Sequence, residues 1–295
     1  MKLTVEGLWI ALGTPFKDNG DLDLAGFRKL VHHVISGGAN GLIPLGSTGE
    51  AATLREEERD QVITACLNEA GNVPVVVGTG HNATWKTIEW TARAKQLGAH
   101  GALIVTPFYN KPTPGGLVAH YNAIAEQVPD FPIVVYNVPG RTGLNLLPST
   151  LELLWKIPSV VAVKESSGNL SQIGVIGRNL PADKRLLSGD DNLALASIAV
   201  GASGLVSVLG NVAPKQTRAL IDAARGGRLE AARQIQAKLL PLMDALFVET
   251  SPIPLKAGME YLGLSGSALR LPLTSPQADT RRLIVSALKA VLEEK

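Results

Sequence analysis

The chain has 295 residues, 45% of them hydrophobic and 18% charged, which supports a large core and excludes a disordered chain. Its 28 basic and 26 acidic residues leave a net charge of +2 without a basic tract, and aromatics reach only 4%, so nucleic acid is not an expected partner. No apolar run has the length of a membrane span, Leu8–Leu12 is too short for a signal peptide, and the single Cys66 cannot form an internal disulfide; a cytoplasmic protein is expected.

Short apolar runs alternate with amphipathic stretches along the chain. Leu8-Trp9-Ile10-Ala11-Leu12 reads as a strand and stops at Gly13-Thr14-Pro15. Residues 23–36 follow as a helix, with Phe27, Leu30, Val31, Val34 and Ile35 at helical spacing and Gly37-Gly38 as its stop signal. The same alternation predicts further strands near 41–46, 74–78, 101–106, 132–137, 160–164, 185–189 and 204–208. Helices are predicted over 55–69, 84–97, 115–127, 149–155, 170–179, 191–199 and 214–224. A Gly-Ala-x-Gly phrase recurs at 38–41, 98–101 and 201–204, each time between a helix and a strand. Its first glycine suits a left-handed helix cap, and its second allows close approach as the strand begins. Cys66 falls in a helical pattern and reads as a small buried residue rather than a nucleophile.

Eight strand–helix units in residues 1–225 predict an α/β fold, a (β/α)8 TIM barrel. An open doubly wound sheet would carry a glycine fingerprint after the first strand, and none is there. Beyond Gly226-Gly227 the strands cease. Helical patterns at 229–247, 252–262 and 276–292 predict a small all-helical C-terminal appendage over 226–295, suited to packing and self-association.

In such a barrel the chemistry sits at the C-terminal ends of the strands. Those ends carry Thr14, Gly46-Ser47-Thr48-Gly49-Glu50, Thr106 to Pro112, Tyr136 to Gly143, Lys164, and Ser188-Gly189-Asp190-Asp191. Lys164 closes the valine-rich run Val160–Val163. Burial there disfavours an ammonium and frees the neutral amine that a Schiff base needs. Ser47, Thr48, Tyr109 and Tyr136 offer hydroxyls for proton transfer, and Arg141 can grip a carboxylate bidentately. Each segment alone has a plainer use. Gly-Ser-Thr-Gly can be a turn, Asp190-Asp191 a helix cap, Arg141 a surface residue, and Lys164 an ordinary paired lysine. Their joint placement on one rim favours chemistry. Histidines 32, 33, 81, 100 and 120 have neither an H-x-x-x-H partner nor a cysteine pair, so no metal is expected. No cofactor is expected either, since no Gly-rich Lys-Ser/Thr nucleotide loop occurs.

Gly-Ser-Thr-Gly-Glu (46–50), Thr-Pro-x-Tyr-Asn-x-Pro (106–112), Tyr-Asn-x-Pro-x-Arg-Thr-Gly (136–143), Val-Lys-Glu-Ser-Ser-Gly (163–168) and Leu-Ser-Gly-Asp-Asp (187–191) are found in this order. Together they resemble the 4-hydroxy-tetrahydrodipicolinate synthase (dihydrodipicolinate synthase) family, of the superfamily that includes N-acetylneuraminate lyase. The resemblance implies condensation of pyruvate with L-aspartate 4-semialdehyde in lysine (diaminopimelate) biosynthesis. It implies Lys164 as the Schiff-base residue, Tyr136 as proton donor and acceptor, and Ser47 and Tyr109 as the rest of a proton relay. It places pyruvate on Thr48 and the backbone at Val206, the semialdehyde carboxylate on Arg141, and Gly189 beside the pocket. It also implies a homotetramer, a dimer of tight dimers in which Tyr109 reaches the neighbouring subunit.

Ser47 departs from the usual Thr of the synthases. It keeps the hydroxyl with a looser rotamer, and Ser-Thr is common in the lyase branch. The alternative within the superfamily is therefore another pyruvate-dependent aldolase or dehydratase acting on a keto-sugar acid; a non-catalytic barrel sensing pyruvate-like ligands is a separate one, against which Lys164, Tyr136 and the relay hydroxyls argue together. At the positions where lysine-sensitive members bind their effector, this chain has Ala51, Glu56, Arg59, Lys86 and Phe108. Lys86 replaces an expected Glu, which implies weak or absent inhibition by lysine.

Overall fold

The computed structural model describes residues 3–292. The strands are β1 (Gly7–Ala11), β2 (Gly41–Ile43), β3 (Val76–Gly78) and β4 (Gly101–Val105), then β5 (Ile133–Asn137), β6 (Val160–Glu165), β7 (Arg185–Ser188) and β8 (Gly204–Ser207). They form one eight-stranded sheet in the order β2-β1-β8-β7-β6-β5-β4-β3, and every described register is parallel. A parallel bridge between Leu42 and Val75, with Leu42 N–H donating to Pro74 O at 2.9 Å, links β2 to the approach of β3. The fold is the expected (β/α)8 TIM barrel.

The helices between strands are α1 (Leu24–Ser36), α2 (Glu56–Ala70), α3 (Thr84–Gln96), α4 (Pro114–Gln127), α5 (Pro139–Thr142), α6 (Pro148–Leu154), α7 (Leu170–Arg178), α8 (Ala194–Ala199) and α9 (Pro214–Arg225). After them come α10 (Leu229–Ala245), α11 (Ile253–Tyr261) and α12 (Ala278–Leu292). Two expectations need correction. β2 ends at Ile43 rather than residue 46, because Pro44 has no N–H to pair and Leu45 turns left-handed at φ 62°. The Pro-Gly-Arg-Thr stretch after β5, where no helix was expected, winds into the short α5 with Pro139 at its start.

Contacts divide the described chain into two compact units. One unit comprises residues 3–6 and Val76–Val206. It includes β3 to β7 and most of β8. Its core is formed by side chains such as Ile104, Tyr121, Val135, Leu151, Val163 and Leu186. β4, β5 and β6 are buried almost throughout, as parallel strands covered on both faces must be. Tyr121 satisfies its buried hydroxyl by donating to Ile104 O at 2.9 Å.

The other unit comprises Gly7–Val75 and residues 207–292. Its largest fully buried side chain is Trp9. The Trp9 ring explains the second glycine of the recurring phrase, since a Cβ on Gly41 would stand 2.3 Å from it. The first glycines, Gly38, Gly98 and Gly201, all take positive φ, as left-handed caps require. α11 is buried along Ile253–Met259, and Met259 packs against Gly13 beyond the end of β1. Cys66 is buried in α2, where burial pushes its thiol up.

Candidate active site

In the first unit, β5 and β6 are neighbours in register, and Tyr136 is the direct partner of Lys164. Both are buried, with Lys164 at 5% and Tyr136 at 7% exposure. The Lys164 Nζ lies 4.1 Å from the centre of the Tyr136 ring. Adjacent parallel strands in this register bring an amine and a phenol together without any loop holding them. Gly189, just past β7, completes the enclosure. A Cβ there would meet Ser166 Oγ at 1.9 Å and Lys164 Cε at 2.8 Å, so only glycine lets the lysine stem pass. Val206 is buried in β8, beside β7. Ser166 Oγ is buried near the same point with no hydrogen-bond partner among the described residues.

Arg141 and Tyr109 occupy the loops above these strands. Arg141 is exposed on α5, in its last turn. Tyr109 is 89% exposed, so its ring stands outside the enclosure of Lys164 and Tyr136. Its backbone is left-handed at φ 74° and its N–H donates to Thr142 O at 3.3 Å. Left-handed φ is unfavourable for a side chain with a Cβ, so the loop spends conformational energy to present this ring outward.

Sequence reasoning assigned no role to the residues that brace this pair. Asn137 and Glu165, one step beyond Tyr136 and Lys164, are also register partners. Asn137 Nδ2 donates to both oxygens of the Glu165 carboxylate at 3.0 and 3.1 Å and to Asn145 Oδ1 at 2.8 Å. Ser167 N–H donates to Glu165 Oε1 at 2.8 Å, and Gln172 Nε2 reaches Oε2 at 3.4 Å. Burial pushes the Glu165 carboxyl up, and these donors pull it back down. The available signal was adjacency, since Tyr-Asn and Lys-Glu end neighbouring strands. The partners Asn145 and Gln172 gave no such signal.

Asp190 sits at the start of a short 3₁₀ turn but makes no side-chain cap, so the capping alternative is not what its carboxylate does. Burial pushes it up to about 6, while the Lys164 charge pulls it down and Asp191 and Glu165 push it further up.

In the second unit, Ser47, Thr48 and Gly49 form one turn of 3₁₀ helix after β2. Gly49 N–H donates to Gly46 O at 3.0 Å and Glu50 N–H to Ser47 O at 3.1 Å. Ser47 is exposed and Thr48 buried. Gly49 lies where a Cβ would press on Leu12 O and Thr14 Oγ1, both at 3.1 Å. The two hydroxyls therefore stand on a tight turn seated against the end of β1.

Of the positions matched to an effector site, Arg59 in α2 is buried, donates to Ala51 O at 3.3 Å, and is pushed down to about 10 by burial, with Glu56 and Asp60 opposing that. In the first unit, Lys86 Nζ donates to Glu89 at 3.0 Å and lies over Trp85 and Trp90, while Phe108 meets the edge of His81. Among the described residues no group of three or more His, Cys, Asp or Glu could hold a metal ion.

A model of the dihydrodipicolinate synthetase family matches residues 4–291. The chain is 44% identical over 287 residues to 4-hydroxy-tetrahydrodipicolinate synthase of Methanospirillum hungatei, covering 96% of this chain and 98% of that protein. It is 45% identical over 283 residues to the synthase of Kosmotoga olearia, covering 95% and 96%. Among solved structures, dihydrodipicolinate synthase from Thermotoga maritima is 42% identical with a TM-score of 0.94, covering 96% of this chain and 97% of that one. The chloride-inhibited enzyme from Acinetobacter baumannii, complexed with pyruvate, is 39% identical with a TM-score of 0.95, covering 98% and 99%.

Proposed function

The chain belongs to the dihydrodipicolinate synthetase family, and we propose on that basis that it condenses pyruvate with L-aspartate 4-semialdehyde through a Schiff base. The observation that carries this is the Lys164 amine held 4.1 Å from the Tyr136 ring on paired strands, in a chain that matches the family over residues 4–291. Lys164 attacks the ketone carbon of pyruvate, and the resulting carbinolamine loses water to give an iminium. The iminium accepts the electron pair left when a methyl proton departs, and the enamine so formed adds to the aldehyde carbon. Tyr136 gives and takes the protons of these steps, with Ser47 and Tyr109 completing the relay.

Thr48 and the backbone at Val206 hold the pyruvate carboxylate, and Arg141 holds that of the semialdehyde. Gly189 keeps the channel for the lysine stem open. Tyr109 serves the site of a neighbouring subunit in a homotetramer of tight dimers, which its exposed ring supports. The enzyme works in the cytoplasm on lysine (diaminopimelate) biosynthesis; no described helix is long and apolar enough to cross a membrane. Lysine inhibits it weakly or not at all, because Lys86 puts a cation where the effector's ammonium would bind, and a dose–response reads this directly.

A second reading, an aldolase or dehydratase for a keto-sugar acid, rests on Ser47-Thr48. Steady-state assays with each acceptor separate the two. Turnover is expected with aspartate semialdehyde, and Arg141→Ala should lower kcat/KM for it by about a hundredfold, the cost of one charge-assisted contact. Pyruvate KM should hold. Turnover of keto-sugar acids alone overturns the assignment.

A further inference from the structure

We propose, on the Schiff-base reading above, that the buried Glu50–Lys256 ion pair is a positioning device that fixes the Ser47-Thr48-Gly49 turn, so that α11 sets where the relay hydroxyl and the pyruvate-binding Thr48 stand. The turn does not hold itself. It is a single 3₁₀ turn, and both its shoulders are non-glycine residues in the left-handed region, Leu45 at φ 62° and Glu50 at φ 51°. Such backbone persists only where surrounding structure over-determines it. A Cβ on Gly46 would meet nothing within 4 Å among the described residues, so no side chain presses on the turn there. The restraint comes from the inner side, through Glu50.

The Glu50 and Lys256 side chains are 1% and 0% exposed and 2.9 Å apart. Arg270 N–H donates to the second Glu50 oxygen at 3.1 Å. Lys256 Nζ also donates to Thr14 O at 2.7 Å and to Ala268 O at 2.9 Å, and lies 4.6 Å from the Phe16 ring. The two carbonyls take two of the ammonium's three protons, and the Glu50 carboxylate meets its charge. Lys256 is thus a strut rather than a second nucleophile. Burial pushes its ammonium down and the Glu50 carboxylate pushes it up.

A second tie runs beside the first. Arg270 clamps Glu58 through two bonds of 2.6 and 2.7 Å, donates to Thr53 O at 2.9 Å, and lies over the Phe16 ring at 4.4 Å. One charged cluster therefore holds the end of β1, the hydroxyl turn and the start of α2 to the C-terminal segment. Stability alone does not account for it, because an apolar pair of equal volume is commonly as stable as a buried ion pair. What an ion pair adds is direction. The C-terminal helices, expected to serve packing and self-association, here reach the turn that presents the catalytic hydroxyls.

The test uses the full-length enzyme with Glu50→Gln and Lys256→Met combined, which removes both charges and leaves no unpaired ion. Thermal unfolding, pyruvate KM, kcat, and the single-turnover rate of the borohydride-trapped pyruvate adduct on Lys164 are measured together. A folded variant is expected in which kcat and the adduct rate each fall about tenfold or more and pyruvate KM rises, since a misplaced reacting group costs up to about a hundredfold. Glu50→Asp, which keeps the charge and shortens the reach, is the second variant should the first not fold, and it should show the same losses near the native unfolding temperature. Removing the Glu6–Arg185 pair of the other unit, 2.6 Å long, by E6Q/R185M should leave both rates and KM unchanged. Native rates and KM in the folded Glu50 variants, or equal losses in E6Q/R185M, overturn the positioning role. No adduct on Lys164 in the native enzyme overturns the Schiff-base reading itself, a result the variants cannot produce.

Discussion

Lys164 and Lys256 are both almost wholly buried, and their neighbours set them apart. Lys256 has a carboxylate and two carbonyls around its ammonium. Lys164 faces the Tyr136 ring, with the missing side chain of Gly189 leaving room at its stem. Position at the end of a valine-rich strand singled out Lys164 in the sequence, and register with Tyr136 follows from the barrel. Lys256 carried no comparable signal, because its partner is 206 positions away in the chain and only the fold brings it close. Asp190 offers a residue-scale test. It titrates near 6 when folded against 3.8 in the ordinary state. The folded chain holds that proton more tightly, so the associated stability is full below 3.8 and is lost as pH rises through about 6. Asp190→Asn should therefore unfold later than the native protein at pH 8, by on the order of 2 kcal/mol, and show no such gain at pH 4. Equal differences at both pH values in thermal unfolding would count against this account of the site's charges.

At the scale of elements, the site is held by paired strand ends more than by loops. Glu165 takes donors from Asn137 on β5, from Ser167 beyond β6 and from Gln172 on α7. Glu165→Ala would leave buried amide donors without acceptors, at a cost of about 1–3 kcal/mol, whereas Glu165→Gln keeps part of the network and should cost less. Urea unfolding of the two variants reads this, and equal stability of Glu165→Ala and the native protein would remove the network from the account. The strand–helix alternation made nearly all elements legible, because doubly buried parallel strands are continuous apolar runs bounded by Gly and Pro. The misses are local. Pro44 and Leu45 cut β2 short, and Pro139 starts a short helix where none was expected. Both are decided by backbone angles that apolar periodicity does not report.

At the scale of the molecule, the family match over residues 4–291 gives the fold and the reaction a common basis. The proposed assembly hangs on Tyr109, whose exposed ring sits on a left-handed residue. If that ring completes the relay of a neighbouring subunit, specific activity should fall on dilution in step with dissociation, as sedimentation and rate measured on one dilution series will show. Constant activity in a dissociated subunit would remove Tyr109 from the relay. Above every such detail stands the proposed covalent step at Lys164. Incubation with pyruvate followed by borohydride, with the modified peptide mapped by mass spectrometry, should give one reduced adduct on Lys164, none on Lys256, and none in Lys164→Ala. An unmodified native protein, or an adduct on any other lysine, would contradict the mechanism outright.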